Sequence, residues 1–549
     1  MENAVGNHNK NSSFVKQAAI LAGAGILVRV IGFLYRLPLT NMIGDKGNGI
    51  YGIGFSFYNF FLILSSAGLP VAISKMVSER NALGEYQNAH RVFRVSMMVA
   101  GILGLVCSLV LGFGAHWFAN NLVGSPQSYF TLLTLSPTVF VVAIMAVFRG
   151  YFQGQKNSVP TALSQIVEQV FNAAFSLILA FLFMKAAVGA PEADAVAFGA
   201  AGGTAGTGVG ALAGLLLIIG IYILSRPRIR KRMAGDHTKA KPESGKGIAT
   251  ELLKTALPII AGTAIFSISN LIDTGMVMRR LEAGGFSTDA ATELFGILNA
   301  KYVTITTLPV SISTALAIAA IPSVASSVVR KEKKAVNHKI NSALRIAMLL
   351  SIPCAVGIGI LASPILHLLF PNMPKGETVL QVGSISIIFL ALAQIVTGML
   401  QGIGQVKKPV IGAFCGALVK IPLNYVLIAI PQINVVGAVI STIACYAVAS
   451  AIDWYYLTKA TGIKPDMISI MIKPLASALV MGLGCYVFYY LFLYLTGRNA
   501  VATVLAIGIG VVIYFVYMLL LNGLREEDIR RFPMGGRIAA AFKKQGLLS

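Results

Sequence analysis

Arg29-Val-Ile-Gly-Phe-Leu-Tyr-Arg36 lies inside an apolar run from Phe14 to Ile43 that is long enough to cross a bilayer. A guanidinium at the bilayer centre costs about 2.5–3.5 kcal/mol on insertion scales, so an arginine held there faces a bundle interior or a wet cavity. The seven-residue step from Arg29 turns a helix through about 700°, which returns Arg36 to within about 20° of the same face, about 10 Å further along. The two form one basic stripe, and the stretch reads as a membrane helix that keeps cationic chemistry inside. Snorkelling to a headgroup region is the plainer alternative for Arg36, which is nearer the end of the run.

The rest of the chain agrees with a membrane setting. Of its 549 residues 56% are hydrophobic and 12% charged, against about 25% charged in a soluble domain. Mean hydropathy is +0.76. Apolar runs of sufficient length give fourteen spans, near 14–43, 51–77, 92–118, 129–153, 158–186, 197–224, 251–279, 294–325, 341–369, 377–403, 409–431, 436–459, 468–495 and 499–522. The chain is therefore read as an all-α polytopic membrane protein. Its polar opening, followed by so long a run, does not read as a cleavable signal.

The net charge of +23 would suggest nucleic acid in a soluble protein, but here it is placed on loops and helix ends. With the N-terminus inside, most Lys and Arg fall on the inner side, in clusters at Arg226–Arg232, Arg330–Lys339 and Arg525–Lys544, so the positive-inside rule predicts both termini cytoplasmic. Attraction to membrane lipids accounts for such clusters, and no nucleic-acid partner is expected. Cys107, Cys354, Cys415, Cys445 and Cys485 are scattered singly through apolar segments and read as small hydrophobes. His116 and His367 belong to no HxxxH or HExxH motif, and no metal site is expected.

The two halves echo each other. Tyr51-Gly-Ile with Tyr58 recurs as Phe295-Gly-Ile with Tyr302, and Leu69-Pro-Val as Leu308-Pro-Val. Gly150-Tyr-Phe-Gln-Gly154 recurs as Gly398-Met-Leu-Gln-Gly402, Val167-Glu168 with Asn172 as Val419-Lys420 with Asn424, and Phe198-Gly-Ala as Val436-Gly-Ala. The order is kept at an offset of about 240–250 residues, as in parallel transporter repeats that alternate access by rocking. This gives two six-helix lobes plus two C-terminal helices: 1–225, a basic linker 226–250, 251–459, 460–522 and a cytoplasmic tail 523–549. The glycines of span six, from Gly199 to Gly210, are read as close-packing positions. Charges do not repeat: Lys301 answers Phe57, and Lys420 answers Glu168. Among the bases in the spans, Arg29, Arg36, Lys75, Lys301 and Lys420 stand out; Lys75 is near a helix end.

The six-plus-six-plus-two plan and the Arg29–Arg36 stretch resemble the MurJ-type lipid II flippases of the multidrug/oligosaccharidyl-lipid/polysaccharide (MOP) exporter superfamily. The chain looks closer still to the stage V sporulation protein B and YtgP branch. Supporting words are Gly44-Asp-Lys-Gly-Asn-Gly-Ile-Tyr-Gly52, Ser65-Ser-Ala-Gly-Leu-Pro-Val71, Phe148-Arg-Gly-Tyr-Phe-Gln-Gly154 and Glu526-Glu-Asp-Ile-Arg-Arg-Phe-Pro533. The resemblance implies two lobes in a V around a cationic cavity, a groove for a polyprenyl tail on the last two helices, and movement of a polyprenyl-diphosphate-linked glycan outward across the bacterial cytoplasmic membrane. It carries substrate binding onto Arg29, Arg36 and Lys301. The Arg29–Arg36 spacing is one residue longer than the family's, and the family's arginine near the end of helix two is replaced here by Ser65-Ser66-Ala67.

Arginine forks suit a diphosphate, with lysine acting as a point charge. There is no GxxxxGK[ST] loop, so an ion gradient or the membrane potential is the expected drive. Asp273 is a candidate sodium or proton ligand, with pairing to Arg279 or Arg280 as the alternative; Asn424 and Thr442 join it through the family fold. Glu168 and Lys420 are read as structural or coupling charges, with Arg149 among the partners for Glu168. No cofactor, catalytic residue or enzymatic activity is expected, and the transporter is read as monomeric. A cation-coupled multidrug exporter is the alternative function, disfavoured by the scarcity of intramembrane acids.

Overall fold

The computed structural model describes residues 2–187, 192–236, 238, 241–330, 332–405, 407–463 and 465–524. The tail cluster Arg525–Lys544 and the Glu526–Pro533 word therefore lie outside the described residues. Among the described residues there is no strand. In chain order the helices are α1 (Glu2–Ser66), α2 (Leu69–Ala82), α3 (Tyr86–Trp117), α4 (Tyr129–Gly154), α5 (Val159–Ala186), α6 (Glu192–Ala234), α7 (Gly245–Ala283), α8 (Thr288–Gly296) and α9 (Val303–Val329). They continue as α10 (Lys333–Ile360), α11 (Ala362–Leu369), α12 (Glu377–Ser384), α13 (Ser386–Gly402), α14 (Lys408–Leu427), α15 (Val436–Thr461), α16 (Lys473–Thr496) and α17 (Asn499–Leu520). Short π-helical segments, Phe118–Val123, Ile297–Tyr302 and Ile468–Ile472, adjoin α3, α9 and α16.

As a straight rod the 65 residues of α1 would measure about 100 Å, three times the hydrocarbon core. Gly44 breaks it, at φ 75° and ψ 173°, a conformation open to glycine because it has no Cβ. The break separates the first two spans read from the sequence. The Asn48 side chain bridges it, donating to the Gly44 carbonyl at 2.7 Å and to the Thr40 carbonyl at 3.3 Å while accepting from the Thr40 hydroxyl at 3.3 Å. Carbonyls at the interrupted ladder thus keep partners.

Eleven helical stretches among the described residues are long and apolar enough to cross a membrane. The first, Gly23–Ala82, contains two sequence-read spans, and α7 and α9 are helical over the remaining two. This is compatible with fourteen crossings.

Contacts divide the chain into two compact units, Met1–Glu282 with Phe286–Gly296, and Ala283–Gly285 with Ile297–Ser549. In the first unit the sequence words pack on one another. A Cβ at Gly150 would lie 2.9 Å from the Pro70 backbone, and one at Gly154 2.7 Å from Val77, so α4 rests on α2 at Leu69-Pro-Val. Gly202, Gly206 and Gly210 of α6 lie so close to the α5 backbone at Leu179, Ser176 and Glu168 that side chains there would overlap it. That is the close approach small residues permit between membrane helices. In the second unit α13, which bears Gly398–Gly402, contacts α9, which bears Leu308-Pro-Val.

Two boundaries differ from the sequence reading. The basic run Arg226–Arg232 is the end of α6, since Arg and Lys are good helix formers and Ile229 is buried in the first unit's core. Only residues 235–244 connect it to α7. By contacts α7 groups with the first unit, because Ile248, Leu252, Ala256 and Ile260 join the core of α2, α3 and α4.

The connector is fastened. Buried Arg80 clamps Glu243 through Nε at 2.8 Å and Nη2 at 2.7 Å, and Nη2 also reaches Glu251 at 2.7 Å. Asn88 accepts from the Glu243 N–H at 3.2 Å and donates to the Lys241 carbonyl at 3.4 Å. The Gln87 N–H donates to Asp236 at 3.0 Å.

Candidate functional site

The arginine arm of α1 lies on α5, with Gly32 against Gln169. Arg29 is exposed on this arm. Arg36 is half-buried, and its guanidinium sits 3.9 Å from the Tyr51 ring centroid, across the Gly44 break. Tyr51 is buried and stacked on Phe55 at 4.6 Å, with Tyr35 and Thr207 beside its hydroxyl. A cation over such a ring gains about 0.5–2 kcal/mol, more as water is excluded. The guanidinium edges stay available for hydrogen bonds when its face is stacked.

Arg149 and Glu168 form an ion pair at 2.6 Å between α4 and α5, with Arg149 Nε donating to the Ser164 hydroxyl at 3.0 Å. Of the partners considered for Glu168, Arg149 is the one found. Buried Tyr58 stands beside both charges.

In the second unit Tyr302, the repeat counterpart of Tyr58, stands beside Lys420, the counterpart of Glu168. Its hydroxyl donates to Ser386 at 2.8 Å. The two tyrosines thus stand beside different charges, the Arg149–Glu168 pair in the first unit and Lys420 in the second.

Lys301 is 1% exposed and is the penultimate residue of the π-helical segment ahead of α9. Its ammonium donates to the Met373 carbonyl at 2.6 Å and the Lys375 carbonyl at 3.0 Å, and lies 5.7 Å from the Phe370 ring centroid. Lys301 therefore fastens the loop between α11 and α12, a contact with no signal in the sequence. At the end of that loop Gly376, with φ 105°, presses on Ile297.

The candidate ion ligands are distributed over both units. Asp273 is half-buried on α7 in the first, beside Thr274, whose hydroxyl meets Ser56 at 2.9 Å. Arg279 reaches the Asn121 carbonyl at 2.8 Å and Glu282 at 3.7 Å. In the second, buried Asn424 accepts a hydrogen bond from Ser441, and the Thr442 hydroxyl turns to its own helix at Ala438, 2.7 Å away. Among the described residues no group of three His, Cys, Asp or Glu is placed to hold a metal.

Among the described residues the sequence reading passed over four buried charges, Asp45, Arg80, Arg345 and Asp453. Asp453 carried a legible signal, as the single acid of span twelve.

A family model described as polysaccharide biosynthesis protein matches residues 14–328, more than half of the chain, and one described as MatE matches residues 258–426. Stage V sporulation protein B of Bacillus subtilis (strain 168) is 26% identical over 530 residues, 96% of this chain and 99% of that protein. Lipid II flippase MurJ of the same organism is 27% identical over 461 residues, 82% and 83% of the two chains. A solved structure of lipid II flippase MurJ in an inward closed conformation superposes with a TM-score of 0.67 at 16% identity, covering 92% of this chain and 98% of that one.

Proposed function

The chain belongs to the polysaccharide biosynthesis protein family, within the MOP superfamily of membrane transporters, and from that premise we propose that it is a flippase for a polyprenyl-diphosphate-linked oligosaccharide. Lipid II is the cargo that the MurJ relative favours. The proposed direction is from the cytoplasmic to the outer face of the bacterial plasma membrane, by alternating access, in a monomer with both termini inside.

The observation that carries this reading is Arg36 stacked on Tyr51, on the same arm of α1 as exposed Arg29. Diphosphate recognition requires cationic forks held in an apolar surround, and the stack orients one such fork without consuming its N–H donors. In the second unit Lys301 is proposed as a further substrate-binding residue, a point charge now held by the Met373 and Lys375 carbonyls. The exposed stripe Leu479, Leu483, Tyr486 and Tyr490 of α16 suits a polyprenyl tail. Asp273, Asn424 and Thr442 remain the proposed sodium or proton ligands.

The test is complementation of a cell depleted of its lipid II flippase. Rescue by the wild type with loss on Arg29→Ala or Arg36→Ala supports the reading. Absence of rescue at normal membrane levels assigns another polyprenyl-linked glycan, and equal rescue by all three chains removes the arginines from the site. The MatE match over 258–426 favours a second reading, a cation-coupled drug exporter, which predicts drug resistance on expression instead of rescue.

A further inference from the structure

Asp453 is 2% exposed in the membrane helix α15. One carboxyl oxygen, Oδ2, accepts a hydrogen bond from the Thr397 hydroxyl of α13 at 3.0 Å. The other, Oδ1, has no hydrogen-bond partner among the described residues and faces Gly412 of α14. A Cβ at 412 would overlap Oδ1 and come within 3.0 Å of the Ala449 carbonyl, so the gap exists because residue 412 is glycine. Three helices meet at this carboxyl, and one hydroxyl serves it.

The neighbouring helices carry charges of their own. On α14, Lys408 holds its ammonium 4.5 Å over the Tyr456 ring, and on α15 Lys459 lies 5.7 Å from the Tyr455 ring. Helix α13 has no ionisable residue, α12 contributes Glu377 at its first residue, and α10 brings buried Arg345. No ion pair to Asp453 is present among the described residues. The repeat register sharpens the contrast. Thr397 stands where Arg149 stands in the first unit, immediately before the Gly150–Gly154 word, and Asp453 stands where the first unit has Leu215. At these two register positions the second unit has threonine and an acid where the first has arginine and leucine.

An ionised carboxylate enclosed by protein needs a cation or a full set of donors, and Asp453 has neither. We propose that Asp453 is a proton-binding site of the second unit. It holds a proton on Oδ1 while α13, α14 and α15 are packed as seen here and releases it to water when they part. The site is separate from Asp273, Asn424 and Thr442, and it goes beyond the transport reading because it does not depend on the cargo.

The experiment is an infrared titration of the full-length protein in lipid vesicles, following the carbonyl band of a protonated carboxyl between about pH 5 and 9. Trp454 gives a second readout once Trp117→Phe leaves it as the sole tryptophan. The expected result is a titrating band that Asp453→Asn lacks, with Trp454 emission following the same midpoint. Thr397→Val, which removes the single donor, is expected to move that midpoint by about tenfold in proton concentration and serves as the test should Asp453→Asn not fold. A band that stays constant over this range, or a titration that both variants leave unchanged, overturns the proposal.

Discussion

The guanidinium of Arg36 and the ring of Tyr51 stack at 3.9 Å, joining residues on opposite sides of the Gly44 break. Tyr51→Phe keeps the ring and is expected to retain transport. Tyr51→Leu removes the aromatic face and, on the proposed flippase reading, is expected to reduce transport by about twofold to thirtyfold, the equivalent of a cation–π contact. Rates in vesicles loaded with lipid-linked substrate decide between them, and equal rates for both variants would show that the stack plays no part.

Arg80 holds Glu243 and Glu251 together, and its loss leaves two carboxylates facing each other at a partly exposed site. Arg80→Ala is expected to cost about 1–3 kcal/mol, less than a fully buried pair because water reaches both glutamates. It should also open residues 235–244 to protease. Thermal unfolding in detergent and timed digestion measure the two effects. Asp236 adds a pH dependence: hydrogen bonds from the Gln87 N–H and then from Thr238 hold its carboxyl below the ordinary range. Its contribution is complete above the ordinary carboxylate range and is lost as pH falls through the lowered folded-state value.

Removing one member of the Arg149–Glu168 pair leaves a charge inside the first unit. Arg149→Met and Glu168→Gln are each expected to lower the unfolding temperature more than the double variant does. A double variant as unstable as the sum of the singles would argue against the pairing.

Lys301→Met frees the Met373 and Lys375 carbonyls. A cysteine at position 373 is then expected to react faster with a membrane-impermeant maleimide than in the parent chain. Unchanged labelling would mean that the loop is held by other contacts.

Gly206 sits on the backbone of Ser176. Gly206→Val forces α6 away from α5 and is expected to destabilise the protein by about 1–3 kcal/mol, whereas valine at Gly220, where nothing lies within reach, is expected to be tolerated. Matched unfolding curves test the difference.

The helices, the break at the Gly44–Gly52 word and the packing role of the repeated glycines were legible in the sequence, because lipid exposure and helix crossing impose them locally. The partners of the polar residues were not. Tyr51 reaches Arg36 only because the chain turns at Gly44, and Lys301 meets carbonyls more than seventy residues away. Asp453 acquires its setting from glycine on one neighbouring helix and threonine on another. The repeat register did not reveal with which unit α7 buries its apolar face, since that depends on contacts made by Arg80 and the α2–α4 core.

At the Gly44 turn, Asn48 spans the interrupted ladder and Gly49 lies directly on the Thr292 backbone of α8, while Lys46 reaches Asp289 at 2.7 Å. Both arms of α1 and the short α8 are thereby braced into one bracket. The glycine that interrupts the helix is thus the most heavily tied point of α1, and Tyr51, the partner of Arg36, follows directly from that brace.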